Sequence, residues 1–120
     1  TLEFVLDFVK VNKDLLDKYL YQFGGVLLRG FNISSAVDFE RIALSLEPNL
    51  DDFYLGTSPR NLVPPTKHVF TASEFNGYIV IPPHCEMSFI AKPPKRIFFY
   101  AHRPNEGLGG ETPLVDFQRV

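Results

Sequence analysis

The spacing of hydrophobic positions changes character near the middle of the chain. In residues 12–23, Leu15, Leu16, Tyr19, Leu20 and Phe23 recur at helical intervals with Lys13, Asp14, Asp17 and Lys18 between them, and Gly24-Gly25 follows. Apolar side chains three and four apart share one helix face, and glycine supplies the left-handed conformation that ends a helix. This segment is therefore predicted to be an amphipathic helix packed on a core. Val26-Leu27-Leu28 before Arg29-Gly30 predicts a short buried strand and a turn. A second helix is predicted from Ser34 or Ser35, either of which can cap it, through Phe39, Ile42, Ala43 and Leu46 to Pro48, with Asp38 near the place of a reciprocal capping carboxylate.

Residues 49–65 hold Asp51-Asp52, Gly56, Ser58-Pro59 and Pro64-Pro65 and follow no regular period. A connection of that length is often functional, which makes it a candidate lid or substrate loop. Beyond it, residues 67–71, 78–81, 84–90, 96–102 and 112–116 read as strands, separated by Asn76-Gly77, Pro82-Pro83, Pro93-Pro94 and the turn at residues 105–110, which opens on Asn105. Two helices leading into short strands predict an α+β fold, mainly β, with the helices packed on a sandwich or jelly roll.

Composition supports this outline. Twelve Phe, five Tyr, ten Pro, eight Gly and no Trp suit a turn-rich β fold better than a helical bundle, and 120 residues with 45% hydrophobic content supply one core, so residues 1–120 are expected to be a single domain or part of one. A net charge of -2 gives no basic field to draw the chain onto nucleic acid or an anionic membrane, which favours a small-molecule partner. The lone Cys85 cannot form an internal disulfide. No apolar run approaches the roughly 18 residues that span a bilayer, and no basic, signal-like leader is present, so a cytoplasmic compartment is expected. Thr1 in place of Met, and a last stretch from Phe117 to Val120 without a stop signal, lead to the expectation that the chain is cut from something longer.

The segment Pro82-Pro83-His84-Cys85-Glu86-Met87-Ser88-Phe89 carries the most chemistry. In a strand, alternate side chains face one side, so His84 and Glu86 would point together while Cys85 points away. Imidazole and carboxylate are two members of the 2-His-1-carboxylate triad that holds non-heme Fe(II). Read alone, the triplet is also what a hydrogen-bonded pair at a strand edge looks like. Cys85 reads as a small buried hydrophobe, and His68 and His102 as structural histidines. In Gly107-Leu108-Gly109-Gly110-Glu111-Thr112, glycines permit a tight turn after which Thr112 offers a hydroxyl, though an ordinary hairpin has the same pattern. Lys95, Arg96 and Arg103 flank a strand and are given no binding role.

Taken together, Gly25-Val26-Leu27-Leu28-Arg29-Gly30-Phe31, His84-x-Glu86 with Phe89, Pro93-Pro94 before an aromatic strand, and Gly109-Gly110-Glu111-Thr112 resemble, in order and spacing, the N-terminal half of taurine dioxygenase-like (TauD/TfdA) enzymes. The Glu-Met-Ser form of the ligand strand is most similar to the branch of syringomycin-biosynthesis hydroxylases and clavaminate synthase-like proteins. The resemblance implies a double-stranded β-helix (jelly roll), incomplete in this chain, behind two packed helices. It implies that His84 and Glu86 ligate Fe(II), that Thr112 hydrogen-bonds a carboxylate of the cosubstrate 2-oxoglutarate, and that Phe89 lines the substrate pocket.

The family's distal histidine and its 2-oxoglutarate-binding arginine have no counterpart in these residues, so the isolated chain is expected to bind iron poorly and not to turn over. Halogenases of the superfamily carry a small residue at the carboxylate position, so Glu86 implies hydroxylation or desaturation. The substrate, used with molecular oxygen, would be a small molecule such as an amino acid or its derivative. A homo-oligomer stays open, as do two other classes: a non-catalytic jelly-roll binding module and a truncated interaction domain.

Overall fold

A computed structural model describes residues 1–104, 106–117 and 119. Asn105, where the glycine-rich turn was expected to open, lies outside the described residues, as do Gln118 and Val120 of the terminal stretch. The regular elements are three helices, α1 (Leu2–Val11), α2 (Lys13–Phe23) and α3 (Ala36–Leu46).

α1 has no counterpart in the sequence reading, which begins its first helix at residue 12. Thr1 caps it, its hydroxyl accepting from the Phe4 N–H. Leu2, Val5, Leu6 and Val9 then form a stripe at helical spacing that turns inward, and Val5 and Val9 are fully buried. Asn12 divides α1 from α2: its backbone N–H and its side-chain amide both donate to the Phe8 carbonyl, and its own carbonyl accepts from Leu16 to start the next helix. α2 ends as expected on Gly24 at φ 74°, whose N–H donates to the Leu20 carbonyl. In α3 the cap is Ser35, which accepts from the Asp38 N–H, while the Ser34 hydroxyl donates to the Asp38 carboxylate at 3.3 Å.

The core lies between α1 and α3, where Val5, Val9 and Ile42 meet Leu2, Leu6, Phe8, Leu16, Leu28, Phe31, Ile33 and Leu46. α2 contributes Leu16 to this layer, but no α2 residue is fully buried. The run at residues 26–28 is not a buried strand. Leu28 reaches the core, whereas Leu27 is 76% exposed.

Among the described residues the expected strands form no ladder; the sole β pairing is an isolated antiparallel bridge between Leu62 and Phe70. A strand is stabilised by backbone bonds to a partner, and here the chain provides them at one place only. Val63 donates to Val69, Thr71 to Asn61 and Glu74 to Pro59, folding residues 59–74 back on themselves. Residues 94–100 form no regular element but keep the alternation of burial expected of a strand. Pro94, Arg96, Phe98 and Tyr100 are half-buried, and Ile97 and Phe99 are exposed between them. Arg96 pairs with Asp17 of α2 at 2.8 Å. The Tyr100 hydroxyl donates to the Ile33 carbonyl, and its ring stacks on Phe39 of α3 at 5.3 Å. This segment thus lies on the helical layer. No helix among the described residues is long and apolar enough to cross a membrane.

Candidate functional site

His84 and Glu86 come together, although not by strand alternation. The chain is extended through His84 and enters a turn at Glu86, where Met87 takes the left-handed φ of 50°, unusual for a residue with a side chain, and Ser88 and Ile90 donate back to Cys85 and Met87. The turn leaves His84 Nε2 3.7 Å from Glu86 Oε2. His84 Nδ1 lies 2.9 Å from the Pro82 carbonyl, which can only accept, so in the neutral ring Nδ1 carries the proton and Nε2 is left as the free ring nitrogen.

Glu86 is well supplied with donors. The Tyr54 hydroxyl donates to Oε1 at 3.1 Å, and Arg60 Nη2 donates to Oε2 at 3.4 Å. The guanidinium sits over the Tyr54 ring, 5.0 Å from its centroid, and its Nη1 donates to the Thr71 carbonyl. The side chains of Arg60 and Glu86 are 18% and 17% exposed, that of His84 53%. The pair therefore has a sheltered carboxylate and an open imidazole. Beside it lies a cavity of about 740 Å³ whose wall includes Glu86, Arg60, Tyr54, Phe39, His68 and Tyr100.

Tyr54 and Arg60 belong to the irregular loop that the sequence marks as a functional candidate, but nothing in the sequence singled them out. The one available signal is that an arginine in a sheltered place needs a carboxylate. Its approach is set by the fold-back of residues 59–74, where Asn61 donates to the Thr71 hydroxyl and Thr71 to the Asn61 carbonyl.

The other expected site residues stand apart. Phe89 is 65% exposed and Thr112 is exposed, and neither is in the cavity wall. Gly109 and Gly110, before Thr112, do take positive φ values, 90° and 80°. Cys85 is an exposed free thiol and not a buried hydrophobe, because the turn presents its side chain to a face that nothing covers. His68 has a structural setting: its Nδ1 lies 3.2 Å from the Asp51 carbonyl, and its backbone N–H donates to Glu40, as does that of Lys67. His102 packs against the Tyr100 ring.

A ferrous site can be tested against these donors. Bonds of about 2.1 Å from imidazole and carboxylate to a first-row ion bridge separations up to about 4.2 Å, so the 3.7 Å gap admits one ion bound to both. Imidazole and carboxylate are the donor types of two facial-triad positions, whose neighbouring donor atoms would stand about 3.0 Å apart at such bond lengths, closer than the 3.7 Å seen between His84 and Glu86; no grouping of three His, Cys, Asp or Glu side chains able to hold a metal occurs among the described residues.

The family model for taurine catabolism dioxygenase TauD, TfdA family, matches residues 3–120. A clavaminate synthase-like protein of Arabidopsis thaliana is 36% identical over 107 residues, covering 89% of this chain and 32% of that protein. The dapdiamide synthesis protein DdaC of Enterobacter agglomerans is 30% identical over 105 residues, covering 88% of this chain and 31% of its own length. The chain thus spans about a third of the length of the curated relatives it matches. No solved structure matches it significantly. The match over residues 3–120 places the chain in the TauD/TfdA family of dioxygenases.

Proposed function

We propose that the chain carries part of the iron site of an Fe(II)- and 2-oxoglutarate-dependent oxygenase that hydroxylates or desaturates a small molecule, with a jelly-roll core as its fold. The reading rests on family membership together with one geometric observation, the 3.7 Å separation of His84 Nε2 from Glu86 Oε2. His84 and Glu86 would hold the metal, which with 2-oxoglutarate and oxygen supplies the oxidising chemistry at a substrate C–H bond. The Pro82 carbonyl keeps the imidazole tautomer competent by accepting from Nδ1. Thr112 would donate its hydroxyl to a cosubstrate carboxylate, and Phe89 would wall the substrate. Both roles require Phe89 and Thr112 to lie closer to the cavity, whose wall includes neither.

An amino acid or amino-acid derivative is the substrate class this reading favours; one relative is a dapdiamide synthesis protein. Succinate release from 2-oxoglutarate, measured in the protein that carries this chain, is the test. In His84→Ala and Glu86→Ala we expect a loss beyond the 10–100-fold that removal of a mere supporting residue costs. Unchanged succinate formation in both variants would remove the metal assignment.

A further inference from the structure

We propose that Arg60 and Tyr54 are positioning residues for Glu86: from one loop they hold one carboxylate oxygen each, and so fix the orientation in which Glu86 meets the metal. The inference rests on the reading of Glu86 as a ligand given above, and three observations carry it.

The first is the division of the oxygens. Tyr54 donates to Oε1 and Arg60 to Oε2, so the carboxylate cannot turn about its last bond without losing a donor. Oε2, the oxygen nearest the imidazole, is the one shared with the guanidinium.

The second is that the donors are themselves held. Arg60 lies over the Tyr54 ring and is tied to the Thr71 carbonyl through Nη1. Its Nε is buried with no hydrogen-bond partner among the described residues. A buried donor left unpaired costs stability, so the guanidinium is placed for what its outer nitrogens reach and not for its own full satisfaction.

The third observation is Gly56. A Cβ there would overlap the Tyr54 hydroxyl and the adjacent ring carbons. Any other residue at this position would have to displace the phenol that reaches Glu86. The loop is thus shaped around the clamp, and metal-ligating carboxylates are commonly oriented by hydrogen-bond donors of this kind.

The test uses Mn(II) titration of the protein that carries this chain, followed by the electron paramagnetic resonance of the free ion, which also measures weak binding. It is paired with the carboxylate-carbon resonance of Glu86 in the metal-free protein. We expect Arg60→Ala to weaken Mn(II) binding by about 10–100-fold and Arg60→Lys to recover part of that loss, since the cation is kept. Tyr54→Phe and Gly56→Ala should each weaken binding severalfold, and the Glu86 resonance should move in every variant that loses a donor. Wild-type affinity in both Arg60→Ala and Tyr54→Phe, with binding lost in Glu86→Ala, overturns the positioning role alone. A wild-type protein that takes up no Mn(II), or a Glu86→Ala variant of it that binds Mn(II) as the wild type does, removes the metal reading and this inference with it.

Discussion

At the scale of single residues, hydrogen bonding sets the behaviour of an exposed carboxylate next to the site. Glu74 accepts from the Thr71 hydroxyl at 2.7 Å and from the Asn61 amide at 3.0 and 3.1 Å, and these bonds, Thr71 first, hold its pKa below the ordinary carboxylate value. Hydrogen bonds to the ionised form favour it. A carboxyl depressed in the folded chain stabilises the fold above its unfolded pKa, and the contribution is lost as pH falls through the folded value. Acid should therefore loosen the 59–74 fold-back, and with it the base of Arg60. A carbon-detected NMR titration should place the Glu74 midpoint below that of an unstructured glutamate, with Thr71→Val returning most of the difference; a midpoint unaffected by that substitution would contradict the assignment. The same scale separates what could be read beforehand from what could not. His84 and Glu86 stand two positions apart, so any extended backbone brings them near each other, and the strand reading found them although the segment is a turn. Tyr54 and Arg60 lie 32 and 26 residues from Glu86, beyond the reach of any local rule.

Among the elements, stability concentrates in the contact of α1 with α3. Val9 is 0% exposed and Ile42 8%, whereas Tyr21 of α2 is 89% exposed. Truncating a buried valine removes apolar burial and leaves a cavity, so we expect Val9→Ala to cost about 2 kcal/mol. Ser35→Ala removes the α3 cap for about 1 kcal/mol, and Tyr21→Ala stays within about 0.5 kcal/mol. Urea denaturation midpoints should follow that order. A larger effect at Tyr21 than at Val9 would place the core elsewhere. α2 and α3 were legible because their caps and apolar stripes lie within single turns of helix. α1 was missed although Leu2, Val5, Leu6 and Val9 repeat at helical spacing behind the Thr1 cap; its buried positions are β-branched valines, which carry no strong helix preference. What makes it helical is burial against α3.

For the molecule as a whole, the described residues have a radius of gyration of 15.1 Å, against about 13.6 Å for a compact chain of this length. Large apolar side chains remain on the surface, among them Tyr78 at 93%, Val80 at 88% and Phe99 at 71% exposure. Exposed apolar side chains on segments that lack ladder partners favour intermolecular association. Sedimentation of the isolated chain over a concentration series should show self-association, reduced by Val80→Lys and Phe99→Lys. A monomer at every concentration would show that these segments are satisfied within the chain. The sequence by itself determined the α2 stop at Gly24, a serine cap for α3, the closeness of His84 and Glu86, and the motif spacing that carries family membership, because each depends on preferences expressed within a few residues or on order along the chain. Only the tertiary structure decided that α1 forms the core, that Cys85 is exposed, and that Arg60 and Tyr54 grip the two oxygens of Glu86. Those outcomes depend on which distant side chains compete for the same buried space and the same hydrogen bonds, and that competition exists only once the chain has packed.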